Sequence, residues 1–278
     1  MPYSTFHRLV LSAVLFTVPG GIYAGNGVIL IDQLSALGGT ALPGDSPGFP
    51  VTISQPGSYR LASNLTVPDE NTTAIQITAD SVTLDLNGFS IIGPINCTGA
   101  PATCGSSGTG IGVEVTGNKV PGPRGTRILN GSVHGMGLTG VQMTGSGGSV
   151  EKVTAYSNAG GGIAAAGKVI ESESTQNGSF GILARTVRDC TSSQNAGDGI
   201  ILNGEGGVAT GNASSFNGGF GIVAPYGVVT GNSLFLNKLG ISAQCPSNIS
   251  TNTIVSLDSS NIDTQGAGCV VVNNASRP

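Results

Sequence analysis

The sequence predicts an all-β fold, a single-chain parallel β-helix in which short strands wind into stacked coils. Three observations lead to this prediction. Gly is very abundant, at 46 of 278 residues, while only 9% of residues are charged and 5% are aromatic. A Gly-Ile or Gly-Val pair recurs along the chain, and an Asn precedes most of these pairs by a few positions. The repeat is about 20 residues long, which fits one coil of three short strands joined by tight turns.

The repeated pairs define columns in an alignment of the coils. Their glycines are Gly140, Gly162, Gly181, Gly199, Gly221 and Gly240. The preceding asparagines are Asn158, Asn177, Asn195, Asn217 and Asn237. Equivalent residues of stacked coils lie ~4.8 Å apart, so we expect these asparagines to bond through their amides in a buried ladder. Gly is expected to supply the special backbone angles of the turn. A leucine-rich repeat would need a Leu ladder, which is missing, and a propeller blade needs about twice the period.

The segment before the repeat predicts export and a cap. Residues 1–24 are typical of a secretory signal, with an apolar run over Leu9–Val18 and a small residue, Ala24, at the cleavage point. The run is too short to span a membrane. Residues 25–67 are expected to cap the open end of the β-helix, with a short helix within Leu30–Gly39 and a Pro-Gly turn within Val51–Val67.

The remaining chain, residues 68–278, is assigned to the β-helix, with a loop insertion near 94–109. Cys97 and Cys104 are expected to form a disulfide across this loop, and Cys245 and Cys269 to tie down the C-terminal stretch, which should pair as a final strand. Cys190 is left over as a small buried residue. Both pairings assume an oxidising compartment, secreted or periplasmic. The cysteines contain no C-x-x-C motif, so they are not expected to bind metal.

The phrase N-x(2–3)-G-[IV], clear over residues 126–243, resembles the right-handed parallel β-helix superfamily that includes pectate lyases and polygalacturonases. The resemblance and the general chirality of parallel crossovers imply a right-handed coil. Enzymes of this superfamily act in a long groove along one parallel sheet. His134, in "GSVHGMG", resembles the Gly-His-Gly motif of polygalacturonases. However, Val133 replaces the first Gly, and the acidic and basic residues that accompany the motif are missing.

One column of the alignment is charged. Lys152, Glu171 and Asp189 each lie six residues before a ladder asparagine, and Arg188 is adjacent. Two carboxylates one coil apart suit calcium binding or a retaining pair of glycosidase carboxylates. A cation beside them suits an acidic sugar, or a base in a lyase. The alternative is that these are ordinary solvated charges, with Lys152 and Glu171 forming a cross-strand ion pair.

Three functions remain open from the sequence. The first is a non-catalytic surface, matrix or carbohydrate-binding scaffold. The second is a polysaccharide lyase or glycoside hydrolase acting on an acidic glycan, with Glu171, Asp189, Lys152 and Arg188 as its catalytic site. The third is a periplasmic accessory protein that assists another enzyme. Four phenylalanines at the asparagine turns form either a turn cover or a surface for a sugar: Phe180, Phe216, Phe220 and Phe235.

Composition limits the partners. The chain has 11 basic and 15 acidic residues, and no basic patch suggests a nucleic-acid partner. Beyond the signal segment no stretch is apolar enough to cross a bilayer. The expected partner is a polysaccharide, and no cofactor is implied apart from possible calcium.

Overall fold

We describe the fold from a computed structural model of the chain, over residues 27–116, 122–145, 147–258 and 261–277. The chain forms a parallel β-solenoid of about 10 turns. The predicted parallel β-helix is therefore confirmed. The predicted signal segment, residues 1–24, lies outside the described residues. Among the described residues, none of the helical structure is long and apolar enough to cross a membrane.

Each regular coil contributes one strand to each of three parallel sheets, which we call A, B and C in the order in which the chain passes through a coil. Sheet A contains the strands Val51–Ile53, Ile75–Ile77, Val113–Val115, Val141–Met143, Ile200–Leu202, Phe220–Pro225, Leu239–Gln244 and Ile262–Gln265. Sheet B contains Val28–Ile31, Gly57–Leu61, Val82–Asp85, Val208–Thr210, Val228–Thr230, Asn248–Ser250 and Val270–Val272. Sheet C contains Leu65–Thr66, Ser90–Ile92, Glu173–Thr175, Thr191–Ser193, Ala213–Ser215, Ser233–Asn237, Thr253–Ser256 and Ala275–Arg277. Four longer strands run from one sheet into the next: Arg127–His134 and Ser149–Tyr156 from B to C, Ile163–Ile170 and Ile182–Arg188 from A to B.

Apolar columns, one residue per coil, fill the interior. The residues that follow the repeated Gly in sheet A are paired directly above one another and are fully buried: Val141, Ile163, Ile182, Ile200, Ile222 and Ile241. A buried side chain of this size contributes ~1.5–3 kcal/mol. The columns are therefore the main source of stability, and each coil depends on its neighbours for burial.

The repeated Gly is required for close packing. The expectation that it supplies unusual backbone angles is wrong, because these glycines are absent from the positions with positive φ. A Cβ placed on Gly181 would collide with the Ser192 hydroxyl and come within 2.6 Å of the Asn195 amide. The Gly column therefore makes room for the side chains of the asparagine turn.

The predicted asparagine ladder is present and buried. Each side-chain amide nitrogen donates to the amide oxygen of the next asparagine: Asn158 to Asn177 at 3.0 Å, Asn177 to Asn195 at 2.9 Å, Asn195 to Asn217 at 2.9 Å and Asn217 to Asn237 at 2.8 Å. The residue before each of them has a left-handed backbone, with φ between 51° and 57°: Ser157, Gln176, Gln194, Phe216 and Leu236. This left-handed residue turns the chain from sheet C towards sheet A.

A second asparagine ladder, which the sequence analysis did not predict, lies at the turn from sheet B to sheet C. Its members are linked at 2.9 Å from each amide nitrogen to the next amide oxygen: Asn212, Asn232, Asn252 and Asn274. The signal in the sequence is the repeated Thr-Gly-Asn at 210–212 and 230–232. In earlier coils the same position holds Ser172 and Cys190, so the pattern covers only the last coils.

The N-terminal cap contains the predicted short helix, Gln33–Gly38. Asp32 caps it by accepting a hydrogen bond from the Ser35 amide at 2.9 Å. The strands over residues 51–66, which the sequence analysis assigns to the cap, already pair in register with the coil that follows. They form the first complete coil, so the cap element proper is the helix together with Val28–Ile31, which covers the first edge of sheet B.

The C-terminal stretch pairs as two strands, Val270–Val272 and Ala275–Arg277, where a single final strand was expected. Val271 lies above the fully buried Ile249 yet is 45% exposed. No later coil among the described residues covers it.

Both predicted disulfides are present, between Cys97 and Cys104 and between Cys245 and Cys269. They fit the oxidising compartment expected for an exported protein. Cys190 is free and buried, as predicted.

We expect the Cys190 thiol to be inert in the folded protein. Burial raises its pKa to about 11, so the reactive thiolate is scarce at pH 8. Iodoacetamide at pH 8 should leave the native chain unlabelled. It should add one label per chain in denaturant without reductant. Mass spectrometry measures both, and equal labelling rates in the two states would contradict the burial described for this thiol.

Candidate functional site

The charged column forms the turn from sheet B to sheet C. Asn130, Lys152, Glu171 and Asp189 occupy equivalent positions, and all have a left-handed backbone with φ of 60°, 54°, 47° and 53°. The next coils have Gly211 and Gly231 at this point, with φ of 68° and 67°. The predicted column therefore exists as a row of turn residues whose side chains point to solvent along one edge of sheet C. A left-handed turn residue is compatible with a purely structural origin of the column.

The charges of this column are paired and exposed. Lys152 Nζ lies 3.6 Å from Glu171 Oε2, and Arg188 Nε lies 3.5 Å from Asp189 Oδ2. The four side chains are between 52% and 64% exposed. Exposed ion pairs of this kind contribute ~0–1 kcal/mol. A general acid is normally shielded from solvent, whereas these two carboxylates are more than half exposed.

A stronger ion pair lies on the outer face of sheet B. Arg127 Nη2 is 2.8 Å from Glu151 Oε2. The hydrogen bond from Arg127 lowers the pKa of Glu151, and a further bond from Ser149 acts in the same direction. This pair keeps Glu151 ionised, which is a structural role rather than that of a proton donor.

Calcium binding by the charged column was left open by the sequence. Among the described residues, no group of three or more His, Cys, Asp or Glu side chains is placed to hold a metal ion. Glu171 and Asp189 each have a cation of the chain beside them. That arrangement offers fewer free oxygen ligands than calcium prefers.

The outer face of sheet C carries a strip of small polar side chains and rings, which we call the sheet C strip. Successive coils place two outward residues each on it: Ser132 and His134, Thr154 and Tyr156, Glu173 and Thr175, Thr191 and Ser193, Ala213 and Ser215, Ser233 and Phe235. The hydroxyls of Thr175 and Ser193 are 3.0 Å apart. Seven of these twelve residues are Ser or Thr, so the strip presents hydroxyl groups along the solenoid axis, interrupted by Glu173 and Ala213.

Aromatic rings lie near the two ends of the strip. The rings of His134 and Tyr156 stack with their centroids 4.4 Å apart, as expected from their common column. Phe216 and Phe235 meet edge to face at 5.8 Å and are 40% and 48% exposed. Tyr156 and Phe235 are separated by four coil steps, or about 19 Å. Only an extended ligand can contact both ring pairs.

The stacked histidine should make stability depend on pH. Burial lowers the pKa of His134, whereas in the unfolded chain it titrates near ~6.5. Because the folded pKa is the lower one, the stabilisation is complete above about pH 6.5 and is lost as pH falls through the folded pKa. The wild-type melting temperature should therefore fall more steeply between pH 7 and pH 5 than that of His134→Phe, which keeps a ring without a charge. Circular dichroism measures this, and identical pH profiles would contradict it.

The loop insertion walls one side of the strip. Cys97–Thr98 and Thr103–Cys104 pair as an antiparallel hairpin closed by the disulfide. The hairpin lies against the turn from sheet C to sheet A, since the Ala102 amide donates to the Gln194 carbonyl at 2.9 Å. Gln176 Nε2 donates to the Gly99 carbonyl at 3.5 Å. The insertion therefore crosses several coils beside the strip.

The sequence indicated the charged column and an outward His134, whose roles stay predictions, but it did not reveal the strip. Its signal is the repeated Ser and Thr of the sheet C strands, which is weak in a chain rich in these residues. The contact of the hairpin with Gln176 and Gln194 joins segments about 80 to 90 positions apart. No local pattern marks such a contact.

Two solved structures resemble the fold of this chain at low sequence identity. No protein-family model and no curated protein matches the chain. The A-module of a mannuronan C-5 epimerase from Azotobacter vinelandii is 12% identical with a TM-score of 0.48, and covers 90% of this chain and 92% of that module. The Dettilon tailspike protein is 14% identical with a TM-score of 0.45, and covers 81% of this chain and 52% of the tailspike chain.

Proposed function

We propose that this protein is an exported, non-catalytic polysaccharide-binding β-helix and that the sheet C strip holds the glycan. The proposal is carried by the strip, which combines hydroxyl groups with a half-buried ring pair near one end and an exposed ring pair near the other, beside the disulfide hairpin. Hydroxyl groups exchange hydrogen bonds with sugar hydroxyls. Aromatic faces pack against the apolar faces of sugar rings. Both features repeat with the coils, as a polymeric ligand requires.

The pairing and exposure of the charged column favour a binding function for this protein over a catalytic one. Glu171 and Asp189 are each beside a cation and more than half exposed. A catalytic acid and base pair needs two carboxyl groups in different environments, so that one stays protonated at working pH. The enzyme hypothesis, with Glu171, Asp189, Lys152 and Arg188 as catalytic residues, is therefore the alternative outcome of the test below.

The test combines retention with turnover. The mature protein is run through native gels containing neutral or acidic polysaccharides, and the same polymers are incubated with it with and without calcium. Released reducing ends and the ultraviolet absorbance of unsaturated sugars report cleavage. We expect retention by at least one polymer and no cleavage.

Cleavage that disappears in both Glu171→Ala and Asp189→Ala, with circular dichroism unchanged, would overturn the proposal in favour of the enzyme. Absence of retention by every polymer would overturn it in favour of a scaffold without a glycan ligand.

A further inference from the structure

The sheet C strip contains a single carboxylate on its floor. Glu173 is exposed and lies between Thr154 and Thr191 of the coils on either side. Among the described residues, no basic side chain lies within ion-pair distance of it. It is therefore the one charge on the floor of the strip that the protein leaves uncompensated.

The edges of the strip do not offset this charge. On the sheet B side, the cations Lys152 and Arg188 are already paired with Glu171 and Asp189. On the other side, the hairpin segment over residues 96–107 contains no charged residue at all. Among the strip residues and these two flanking segments, Glu173 is therefore the one charge without a charged partner.

We infer that the strip selects uncharged glycans and that Glu173 is the residue that sets this selectivity. The inference rests on the proposed function. A polyuronate that follows the column of hydroxyls brings its own carboxylates to the position of Glu173, where like charges repel. A neutral sugar places hydroxyls there, and the ionised carboxylate accepts their hydrogen bonds, which are stronger than bonds between neutral groups.

The position of Glu173 explains why replacing it should change which glycan binds and leave the fold unchanged. Glu173 points outward from the first position of the paired strand Glu173–Thr175, and its neighbours in the column are the small polar Thr154 and Thr191. Replacing it changes the charge that the ligand meets and leaves the buried ladder and core unaltered. Because the site is exposed, its repulsion is also screened by salt.

The test compares Glu173→Lys with Glu205→Lys. Glu205 is exposed on the turn from sheet A to sheet B, so the control makes the same charge change away from the strip. Dissociation constants are measured for a neutral glucan and for polygalacturonate by affinity electrophoresis at low and at high salt, with circular dichroism as the check on folding.

Wild type should prefer the neutral polymer. Glu173→Lys should bind polygalacturonate about fivefold tighter than wild type at low salt, and the gain should disappear at high salt. Glu205→Lys should behave as wild type. Glu173→Gln, which keeps the shape, should reduce the preference without reversing it.

Wild-type protein that binds polygalacturonate as tightly as the neutral glucan would overturn this inference and leave the proposed function standing. An equal gain in polygalacturonate affinity in Glu173→Lys and Glu205→Lys would also overturn it. The tighter binding would then depend on the total charge of the protein and not on the charge within the strip. Failure to retain any polymer is a different result and defeats the proposed function.

Discussion

Asn195→Ala should destabilise the folded protein by about 3–4 kcal/mol. Asn195 lies in the middle of the first ladder and is fully buried. Its amide oxygen accepts bonds from the backbone and side chain of Asn177 at 3.0 and 2.9 Å. Its amide nitrogen donates to Asn217 at 2.9 Å and to the Ser174 carbonyl at 3.2 Å. Alanine removes these four bonds and a fifth, from the amide nitrogen to the Ser192 hydroxyl at 3.2 Å, and leaves buried donors and acceptors without partners.

Chemical denaturation followed by circular dichroism measures the loss. The matched control is Asn203→Ala, since Asn203 is exposed on the turn from sheet A to sheet B and should change stability by less than ~0.5 kcal/mol. A loss for Asn195→Ala as small as that of the control would show that the ladder does not stabilise the solenoid.

Tyr156→Ala and Phe235→Ala should each weaken polysaccharide binding about fivefold to tenfold. Each change removes one ring face from one end of the sheet C strip. The two rings are four coil steps apart and share no partner. Their effects on the binding free energy should therefore add, and the double variant should show the product of the two losses.

Affinity electrophoresis with a retained polymer gives these ratios. Tyr226→Ala is the control, because Tyr226 is 41% exposed on the turn from sheet A to sheet B and should not contact the ligand. Binding that is unchanged in the double variant, or lost equally in Tyr226→Ala, would place the ligand elsewhere.

Much of the fold could be predicted because the coil repeats its chemistry. Residues such as Asn177, Asn195 and Asn217 occupy one column in the sequence and one ladder in space. The second ladder was missed because its column changes identity along the chain. Ser172 and Cys190 hold the place that Asn212 holds later, so the alignment shows no constant residue there.

The site could be predicted only in part. The charged column was found because Lys152, Glu171 and Asp189 stand out in a chain with few charges. Their pairing and exposure depend on side-chain directions at a left-handed turn, which the spacing alone does not give. The strip depends on which face of sheet C is outward and on where the Cys97–Cys104 hairpin folds back. Both are tertiary properties.

Side-chain footprinting tests the central claim, that the glycan lies on the sheet C strip, most directly. Hydroxyl-radical oxidation of Tyr156, Phe216, Phe235 and Tyr226 is measured by mass spectrometry with and without a retained neutral polymer. The account predicts that the polymer lowers oxidation of the first three and leaves Tyr226 unchanged. Protection of Tyr226 with no protection of Tyr156, Phe216 and Phe235 would contradict it.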